Sequence, residues 1–374
     1  MDARAYWVAF NTVKGIGAVR LRFLLDHFGD LEVAWHAPSD AYRAAGISQK
    51  IVEKIQQRKD TLDVAAYWDK VINAGITVLT WDDADYPNRL RTIDQPPPVL
   101  YTRGNLTFED EWAVSIVGTR RVTAYGRRVT EELAGFLARN GITIVSGLAR
   151  GVDTIAHCAA LENGGRTIAV LGCGVDTIYP PENRKLADNM MKAGCLVSDY
   201  APGVPPDSRN FPPRNRIIAG LGLATVVVEA GERSGALITA NFAVEQGREV
   251  FAVPGPIYAP QSKGTNNLIQ QGAQPYLSSE ELLQLLNIEM VDEQKAVRTT
   301  FEIEPFEREI LKLIANEPLH IDEISVQTMK NVDKISATLV VMELKGLVQQ
   351  DGSMNYQAIM EPRAFYDTVE DEDD

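Results

Sequence analysis

The residues of this sequence that are best placed to do chemistry are arginines that follow short apolar runs. The first run, Ala113–Val117, leads into Gly118, Thr119, Arg120 and Arg121. A buried strand that ends in a glycine turn and enters a helix directs backbone N–H groups and the positive end of the helix dipole at one spot. Two guanidinium groups on the same turn add positive charge, so the pattern predicts an anion site. A mononucleotide pocket, a nucleic-acid phosphate site and a plain strand-to-helix turn are all open on these residues alone.

Five further apolar runs end in turns that are rich in glycine, arginine or proline. Ligands of an open parallel sheet bind at the carboxyl ends of its strands, so six such turns predict one cleft for a phosphate-bearing ligand. The residues expected to bind phosphate or DNA are Gly118, Thr119, Arg120, Arg121, Ser146, Gly147, Arg150, Gly151, Tyr179, Asn183, Arg184, Lys185, Arg209, Phe211, Arg214, Asn215, Arg216, Ser234 and Gly235.

The glycine spacing argues against the common nucleotide-binding motifs. The dinucleotide fingerprint needs three glycines, whereas Gly118 stands alone after the first run and Gly172-x-Gly174 is followed by Thr177 where the third glycine belongs. No P-loop lysine motif occurs, so NAD and ATP are disfavoured and no cofactor is expected. The cations outnumber what one nucleotide requires. Together with Tyr179 and Phe211, which could stack bases, they favour a single strand of nucleic acid.

A catalytic interpretation of the same turns depends on three residues. Asp153 and His157 lie one helical turn apart, and Glu229 ends the fifth apolar run. We interpret Asp153 as a helix N-cap with His157 packed behind it, and predict no catalytic residue. Hydrolysis of a nucleotide N-glycosidic bond, with Glu229 in a catalytic role, is the enzyme alternative.

The composition is that of a globular protein with reduced thiols. The chain has 374 residues, which predicts two or three domains, and a formal net charge of −14. That charge does not exclude a nucleic-acid partner, because a local basic patch is what binds phosphates. Cys158, Cys173 and Cys195 are far apart and show no zinc-ligand spacing, so no metal site is expected. With no pattern of a signal peptide or a membrane segment, we expect a cytoplasmic protein.

The apolar runs also predict the fold. Runs that are apolar throughout are typical of parallel strands buried on both faces, and here they alternate with helical segments. The sequence therefore predicts an α/β protein with a Rossmann-like, doubly wound parallel sheet. The predicted strands are Ala113–Val117, Ile142–Ser146, Thr167–Leu171, Cys195–Ser198, Ala224–Val228 and Glu249–Val253.

Smaller modules flank the predicted sheet, which takes residues 81–287 with a proline-rich bridge at its start. Residues 1–80 are predicted to be a helical, SAM-like or helix–hairpin–helix module, in which Lys14–Gly17 either holds a DNA phosphate or only joins two helices; we favour the packing role. A linker (288–303), a winged helix (304–360) and an acidic tail (361–374) follow. Because Lys334 and Lys345 are the only cations on the third winged-helix helix, we favour a protein partner for it.

Taken together, the motifs of the central domain resemble the DprA/Smf family, the DNA-processing proteins of bacterial natural transformation. The matching stretches are Ile116–Arg120, Ser146–Asp153 with His157, Tyr179-Pro180 with Asn183, Phe211–Ile218, Glu229-Ala230, Ser234–Thr239, Phe251–Gly255 and Gly264–Ile269. They cover the whole central domain, and the flanking modules fit the three-part variant of the family.

The resemblance implies a protein that binds and protects incoming single-stranded DNA without hydrolysing it, and that loads the RecA recombinase onto it. It further implies a homodimer formed through the later part of the Rossmann-like domain. The implied DNA contacts are Arg120, Arg184 or Lys185, Phe211 and Arg214. A lysine that follows the Tyr-Pro pair in many relatives is replaced here by Pro181-Glu182, so the choice between Arg184 and Lys185 is open. Distantly similar cytokinin-activating enzymes carry a Pro-Gly-Gly-x-Gly-Thr motif that is absent here, which lowers the enzyme alternative.

Overall fold

The apolar runs of the sequence form the centre of one nine-stranded sheet. The computed structural model describes residues 1–286, 305–314, 318–344, 347–351 and 354–358, in two units that divide at Leu282 and Leu283. The strands of the first unit are β1 (Thr77–Thr80), β2 (Val99–Gly104), β3 (Ala113–Val117), β4 (Thr143–Ser146), β5 (Thr167–Val170), β6 (Gly194–Ser198), β7 (Ala224–Val227), β8 (Glu249–Ala252) and β9 (Gln274–Pro275).

Fourteen α-helices accompany these strands in residues 1–286, and the last of them crosses the division between the two units. They are α1 (Arg4–Asn11), α2 (Ala18–Phe28), α3 (Leu31–His36), α4 (Ser39–Ala44), α5 (Gln49–Thr61), α6 (Val64–Asn73), α7 (Asn88–Arg91), α8 (Ala124–Arg139), α9 (Val152–Glu162), α10 (Arg184–Ala193), α11 (Phe211–Leu221), α12 (Gly235–Glu245), α13 (Lys263–Gln270) and α14 (Ser279–Leu285).

The sheet is doubly wound, as the sequence predicts. Its order is β1-β2-β6-β5-β4-β3-β7-β8-β9, and every pair from β6 to β9 is parallel. From β3 the chain first moves outward to β6 and then returns to add β7 and β8 on the other side. Since such crossovers are right-handed, α8, α9 and α10 cover one face and α12 the other, where α11 packs against α12. The carboxyl ends of the parallel strands therefore meet at one edge.

The proline-rich segment before the parallel strands differs from its prediction. We expected a bridge laid over the domain that begins with a short strand at residues 76–81. That strand is present as β1, but it pairs antiparallel with β2, and β2 pairs antiparallel with β6. Val99, Leu100 and Tyr101 are completely buried in this extension of the sheet. The prolines 96–98 stand just before β2, so they leave its ladder of hydrogen bonds intact. The sheet is thus mixed at this edge rather than wholly parallel.

The N-terminal helices share one hydrophobic core with the sheet. Phe10, Leu21 and Ile55 belong to the same buried cluster as residues of the parallel strands. Polar contacts add to this packing. The Tyr101 hydroxyl donates to the side-chain oxygen of Asn11 at 2.9 Å, and the Asn11 amide donates to the carbonyl of Asp199 at 3.3 Å. The C-terminal end of α1 is therefore held against the loop that follows β6.

The second unit has the helix and hairpin layout predicted for a winged helix. Its elements are α15 (Pro305–Leu313), β10 (Leu319–His320), α16 (Ile321–Thr328), α17 (Val332–Leu344), β11 (Val348–Asp351) and β12 (Asn355–Ala358). β12 pairs antiparallel with both β10 and β11. Ile310, Ile324 and Leu339 lie in the hydrophobic core of this unit. On α17, Lys334 lies over the Phe306 ring at 5.2 Å. Lys345, the predicted linker (288–303) and the predicted acidic tail (361–374) lie outside the described residues.

Neither a membrane-spanning helix nor a metal-binding cluster is found in the described ranges. None of the helices there combines the length and apolar character that a membrane span needs. No group of three or more His, Cys, Asp and Glu side chains is arranged there to hold a metal ion.

Candidate functional site

A cleft of about 670 Å³ opens at the carboxyl edge of the parallel strands. Ten of the predicted residues line it: Gly118, Thr119, Arg120, Arg121, Tyr179, Phe211, Arg214, Asn215, Ser234 and Gly235. A smaller recess beside it adds Gly147 and Arg150. The strand ends thus converge as the parallel topology requires, and arginines, aromatic rings and helix N-termini share one surface.

An aromatic pair with two guanidinium groups beside it forms the most specific part of the cleft. The rings of Tyr179 and Phe211 are stacked, with centroids 5.7 Å apart and an angle of 29° between their planes. Arg120 and Arg214 each place the guanidinium carbon 5.8 Å from the centre of the Phe211 ring. Such a group can stack a base and bind the adjoining phosphate, because every base has a π-face and guanidinium pairs well with phosphate oxygens.

The two arginines differ in how they are held. Arg120 and Arg121 are exposed on the turn after β3. Arg214 is only 5% exposed, and its Nη1 donates to the carbonyl of Gly147 at 3.0 Å. Burial lowers the pKa of Arg214 to about 10, so it stays charged at neutral pH. Its Nε has no hydrogen-bond partner among the described residues. Arg214 is therefore a fixed, incompletely satisfied cation at the cleft floor.

The loop after β4 owes its shape to buried side chains. One carboxylate oxygen of Asp153 accepts from the amides of Gly147 at 3.1 Å and Ala149 at 3.2 Å. Burial raises the pKa of Asp153 to about 6, and the nearby charge of Arg214 and the two amide donors offset part of that rise. We expected Asp153 to be an N-cap. Instead the N-cap of α9 is Gly151, and Asp153 holds the preceding loop.

His157 and Asn183 hold the next residue of that loop. His157 Nε2 accepts from the amide of Leu148 at 3.3 Å, and the Asn183 amide donates to the Leu148 carbonyl at 2.9 Å. His157 Nδ1 lies 2.7 Å from the Thr167 hydroxyl, which itself donates to Ile144, so the proton is on Nδ1. Burial and the charge of Arg214 lower the pKa of His157 to about 3, so the ring is neutral at physiological pH.

The amides of this loop are consequently not available to an anion. The N–H groups of Gly147, Leu148 and Ala149 all donate to Asp153 or His157. The N–H group of Gly147 is therefore not free to bind a phosphate, although Gly147 lines the recess as a predicted site residue. Gly147 has another reason to be glycine, because a Cβ there would lie 2.8 Å from Arg214 Nη2. The loop holds the arginines of the cleft in place, and the arginines supply the charge.

The turns after β3 and β4 interlock. The Thr119 amide donates to the carbonyl of Glu229 at 2.7 Å, and the Thr119 carbonyl accepts from Val152 at 3.3 Å. Gly151 has a φ of +80°, and a Cβ there would overlap the carbonyl oxygen of Thr119 and the backbone of Arg120. Glycine is thus required at this position both by its dihedral angle and by the close approach of the two turns.

Glu229 has a structural partner for both carboxylate oxygens. They accept from the Thr123 amide at 2.9 Å and the Thr123 hydroxyl at 2.5 Å, at the N-terminus of α8. Thr123 is the N-cap of that helix. Glu229 is almost completely buried and does not line the cleft. The catalytic role that the enzyme alternative gives to Glu229 has no geometric support.

The opposite wall of the cleft is made by α11 and α12. Ser234 caps α12 by accepting from the Ala236 amide at 3.3 Å, and Asn215 donates to the Gly235 carbonyl at 3.2 Å. After the fourth apolar run the sequence suggests one long loop over residues 199–216, but α11 begins at Phe211, with Pro212 and Pro213 in its first turn. Proline is accepted there because those N–H groups have no partner within the helix.

Three predicted residues point away from the cleft. The Ser146 hydroxyl is completely buried and donates to the Ile116 carbonyl at 2.6 Å. Arg216 forms an ion pair with Asp199 at 2.6 Å and lines neither the cleft nor its recess. Asn183, as described, holds the loop after β4. The prediction that these three side chains contact the ligand is corrected, because each is committed to a partner inside the fold.

Other predicted cations lie at the margins. Arg150 is paired with Glu182 and Arg209 with Asp207, both on the surface. Surface pairs of this kind contribute little free energy, so both arginines are able to rearrange toward a ligand. Arg184 and Lys185 are exposed in the first turn of α10, outside the linings of the cleft and its recess. Gly151 and Asn183 line a separate groove between α8 and α9.

The apolar part of the cleft wall was not predicted. Ile218 and Ile238 line it, from α11 and α12. Helical spacing could have identified them, because Ile218 is three residues after Asn215 and Ile238 is three residues after Gly235. Pro206 and Ser208, in the loop before α11, carried no signal in the sequence.

Comparison with known proteins gives consistent matches along the chain. The family described as DNA recombination-mediator protein A matches residues 77–287, and the DprA winged helix domain matches residues 294–352. Protein Smf of Synechocystis sp. is 38% identical over 95% of this chain and 98% of its own length.

Two solved structures are also similar. DNA processing protein A of Streptococcus pneumoniae has a TM-score of 0.66 and 34% identity, over 76% of this chain and 97% of the other. DNA processing protein A of Helicobacter pylori, whose structure concerns a single-stranded DNA binding mode, has a TM-score of 0.52 and 32% identity, over 58% of this chain and 96% of the other.

Proposed function

The chain belongs to the DNA recombination-mediator protein A (DprA/Smf) family, and on that basis we propose that it binds and protects single-stranded DNA in the cleft during transformation. The observation that carries the proposal is the stacked pair Tyr179 and Phe211 with Arg120 and Arg214 beside it. Stacking tolerates any base and guanidinium binds the backbone, which suits a strand of arbitrary sequence. The Helicobacter pylori relative is described as binding single-stranded DNA, and this supports the same ligand here.

The proposed contacts are the side chains that face the cleft. Arg120, Arg121 and Arg214 bind phosphates, and Tyr179 and Phe211 stack bases. Arg150 joins them from the recess when its pair with Glu182 opens. Gly118, Thr119, Asn215, Ser234 and Gly235 give the strand a close approach to the backbone. Arg184, Lys185 and Arg209 reach the strand only where it leaves the cleft.

Charge reversal at Arg120 tests the proposal. We expect Arg120→Glu to weaken binding of oligo-dT at least about tenfold and to lower the salt dependence by about 0.7 in log–log slope, since one phosphate contact is lost. Fluorescence anisotropy measures both quantities. The matched control is Arg128→Glu, because Arg128 is exposed on α8, pairs only with Glu132 and lies outside the cleft. If both variants bind like the wild type, the proposed role of the cleft is wrong.

We further propose that the protein loads the RecA recombinase onto the bound strand and acts as a homodimer. The family resemblance supports both, and exposed apolar side chains in the later part of the domain, among them Val244, Ile257 and Tyr258, offer an area for protein contact. The wild-type protein should accelerate RecA filament formation on single-stranded DNA, and Arg120→Glu should not. Equal acceleration by both proteins would separate RecA loading from this cleft.

A further inference from the structure

Basic side chains gather around the turn between α1 and α2. We call this group the basic turn; its members are Lys14, Arg20, Lys54 and Arg58. Lys54 Nζ donates to the carbonyl of Lys14 at 3.1 Å, and Arg20 Nη1 donates to the carbonyl of Gly15 at 2.6 Å. Arg58 Nε donates to the Thr12 hydroxyl at 2.8 Å. The packed helices α2 and α5 therefore bring their cations to one short segment of chain.

None of the four cations of the basic turn has a carboxylate within 4 Å among the described residues. Their hydrogen bonds go to neutral oxygens, so their positive charge is not cancelled locally. By contrast, Arg43, Arg127 and Arg128 elsewhere on the surface are each paired with an acid. In a protein with a net charge of −14, an uncompensated basic cluster is a specific attraction for an anion.

The basic turn lies beside the rim of the cleft. Asn11 donates to the Asp199 carbonyl at 3.3 Å, and the Tyr67 hydroxyl donates to the Pro202 carbonyl at 3.1 Å. These contacts hold the N-terminal helices against the loop that runs from Asp199 toward Phe211. Pro206 and Ser208, further along that loop, line the cleft itself. The loop that includes Asp207 therefore connects the surface of the N-terminal helices to the lining of the cleft.

The charge of Lys14 reaches that rim. The pKa of Asp207 is lowered to about 2, chiefly by its hydrogen bonds from Arg209 and in a smaller part by the charge of Lys14. Asp207 is already paired with Arg209, so it does not form a net negative barrier between the cleft and the basic turn. A bound strand would meet positive charge on both sides of the rim.

The surface next to the basic turn is open and partly apolar. Gly17 has no positive φ, and a Cβ there would meet nothing within 4 Å, so the fold itself does not require glycine. Gly235, which lines the cleft, has the same property. Val19 and Phe23, one helical turn apart on α2, are 54% and 48% exposed. Proteins that bind single-stranded DNA commonly present an exposed aromatic ring next to cations, as this surface does.

We propose that the basic turn is a second DNA contact, which binds the phosphates of the same single strand after that strand crosses the rim of the cleft. The proposal rests on the function proposed for the cleft. Lys14 and Lys54 bind the backbone, and Phe23 stacks a base. The turn pattern Lys14–Gly17 thereby gains a binding role in addition to its packing role, and the strand occupies a longer site than the cleft alone provides.

The test compares two lengths of oligo-dT, about 6 and about 20 nucleotides, because single-strand sites commonly span 4 to 16 nucleotides. We expect Lys14→Glu/Lys54→Glu to bind the short oligonucleotide like the wild type and the long one about tenfold more weakly. Its salt slope on the long oligonucleotide should fall by about 1.4, for two lost contacts at about 0.7 each. Lys70→Glu is the matched control, an exposed lysine on α6 that is expected to change neither result.

The outcomes separate this inference from the function on which it rests. Retained short-strand binding shows that the double variant is folded. If it then binds the long strand like the wild type, the basic turn is not a DNA contact, while the cleft keeps its proposed role. If the wild type binds neither length, both proposals fail. Equal losses on both lengths would also contradict a separate second contact.

Discussion

Phe211 contacts several of the residues that form the cleft. Its ring stacks on Tyr179, lies beside Arg120 and Arg214, and covers Gly172, where a Cβ would come within 2.7 Å of it. The ring is thus packed against the protein and also lines the cleft. A base that stacks on this pair would lie close to two cations, so stacking and phosphate binding are coupled through one residue.

Gly235, which lines the cleft, and Gly151, which lies in the turn after β4, lead to opposite predictions. Gly235→Ala should leave the free energy of unfolding unchanged or raise it by up to about 1 kcal/mol, because Ala favours a helix and meets no neighbour. It should nevertheless weaken oligo-dT binding, because the methyl group projects into the cleft lining. Gly151→Ala should destabilise the fold by more than about 1 kcal/mol, since its φ is +80° and the Thr119 carbonyl blocks a Cβ.

Urea unfolding and anisotropy titrations on both variants check this pair. If Gly235→Ala binds oligo-dT as the wild type does, the strand does not approach the start of α12. If Gly151→Ala is as stable as the wild type, the two turns do not interlock as described.

Side-chain direction was the part of the site that sequence could not supply. Ser146 and Gly147 are adjacent at the end of β4, yet the first is committed to the Ile116 carbonyl and only the second reaches the recess. Arg214 and Arg216 are two residues apart on α11, so they point in different directions. The sequence suggests a loop for this segment, and a loop has no fixed periodicity from which the directions of Arg214 and Arg216 could be predicted. The residue types were predictable, and their orientation depended on the helix.

At the scale of elements, the loop after β4 is held in one conformation by side chains. Leu148 has a φ of +57°, which is uncommon for a residue with a side chain, and it is completely buried. Its amide and carbonyl are satisfied by His157 and Asn183. The motif residues Asp153 and His157 therefore act on the shape of the cleft and not as an acid–base pair.

This loop predicts an unusual response to acid. Burial raises the pKa of Asp153 from 3.8 to about 6, so protonation on acidification favours the folded state between about pH 6 and 4. Burial lowers the pKa of His157 from 6.5 to about 3, so acidification over the same range favours the unfolded state. The two effects oppose each other. Asp153→Asn should therefore lose stability more steeply than the wild type between about pH 6 and 4.5.

Urea unfolding at the two pH values measures this difference. Only the pH dependence is compared, because the substitution also changes the stability at any one pH. Parallel pH dependences of the variant and the wild type would show that Asp153 does not titrate in this range.

The helices and strands were predicted correctly where the apolar pattern is continuous, and the prediction failed where proline interrupts that pattern. The six predicted parallel strands, β3 to β8, coincide with apolar runs such as Ala113–Val117, whereas the two-residue parallel strand β9 has no such run and was not predicted. The start of α11 was missed because Pro212 and Pro213 suggest a loop, although proline is accepted in the first turn of a helix. β2 was missed because the prolines before it masked a short buried run. In both cases the effect of proline depends on its position in the element.

At the scale of the whole molecule, the charges are segregated. The net charge is −14, yet Arg120, Arg121 and Arg214 share the cleft. General acidity limits non-specific adhesion to nucleic acid, while the cleft attracts a backbone locally. Family membership agrees with this arrangement, since the central match covers residues 77–287, the part of the chain that builds the cleft. The boundaries between the helical module, the central domain and the linker stay predictions.

The most direct test of the central claim is an anisotropy titration of the wild-type protein with single- and double-stranded DNA of equal length across a salt series. We predict tighter binding of the single strand, because stacking on Tyr179 and Phe211 needs unpaired bases. The log–log salt slope should be about 2 or more, since three cleft arginines each contribute about 0.7. Equal or tighter binding of the duplex, or an affinity that does not change with salt, would contradict the account.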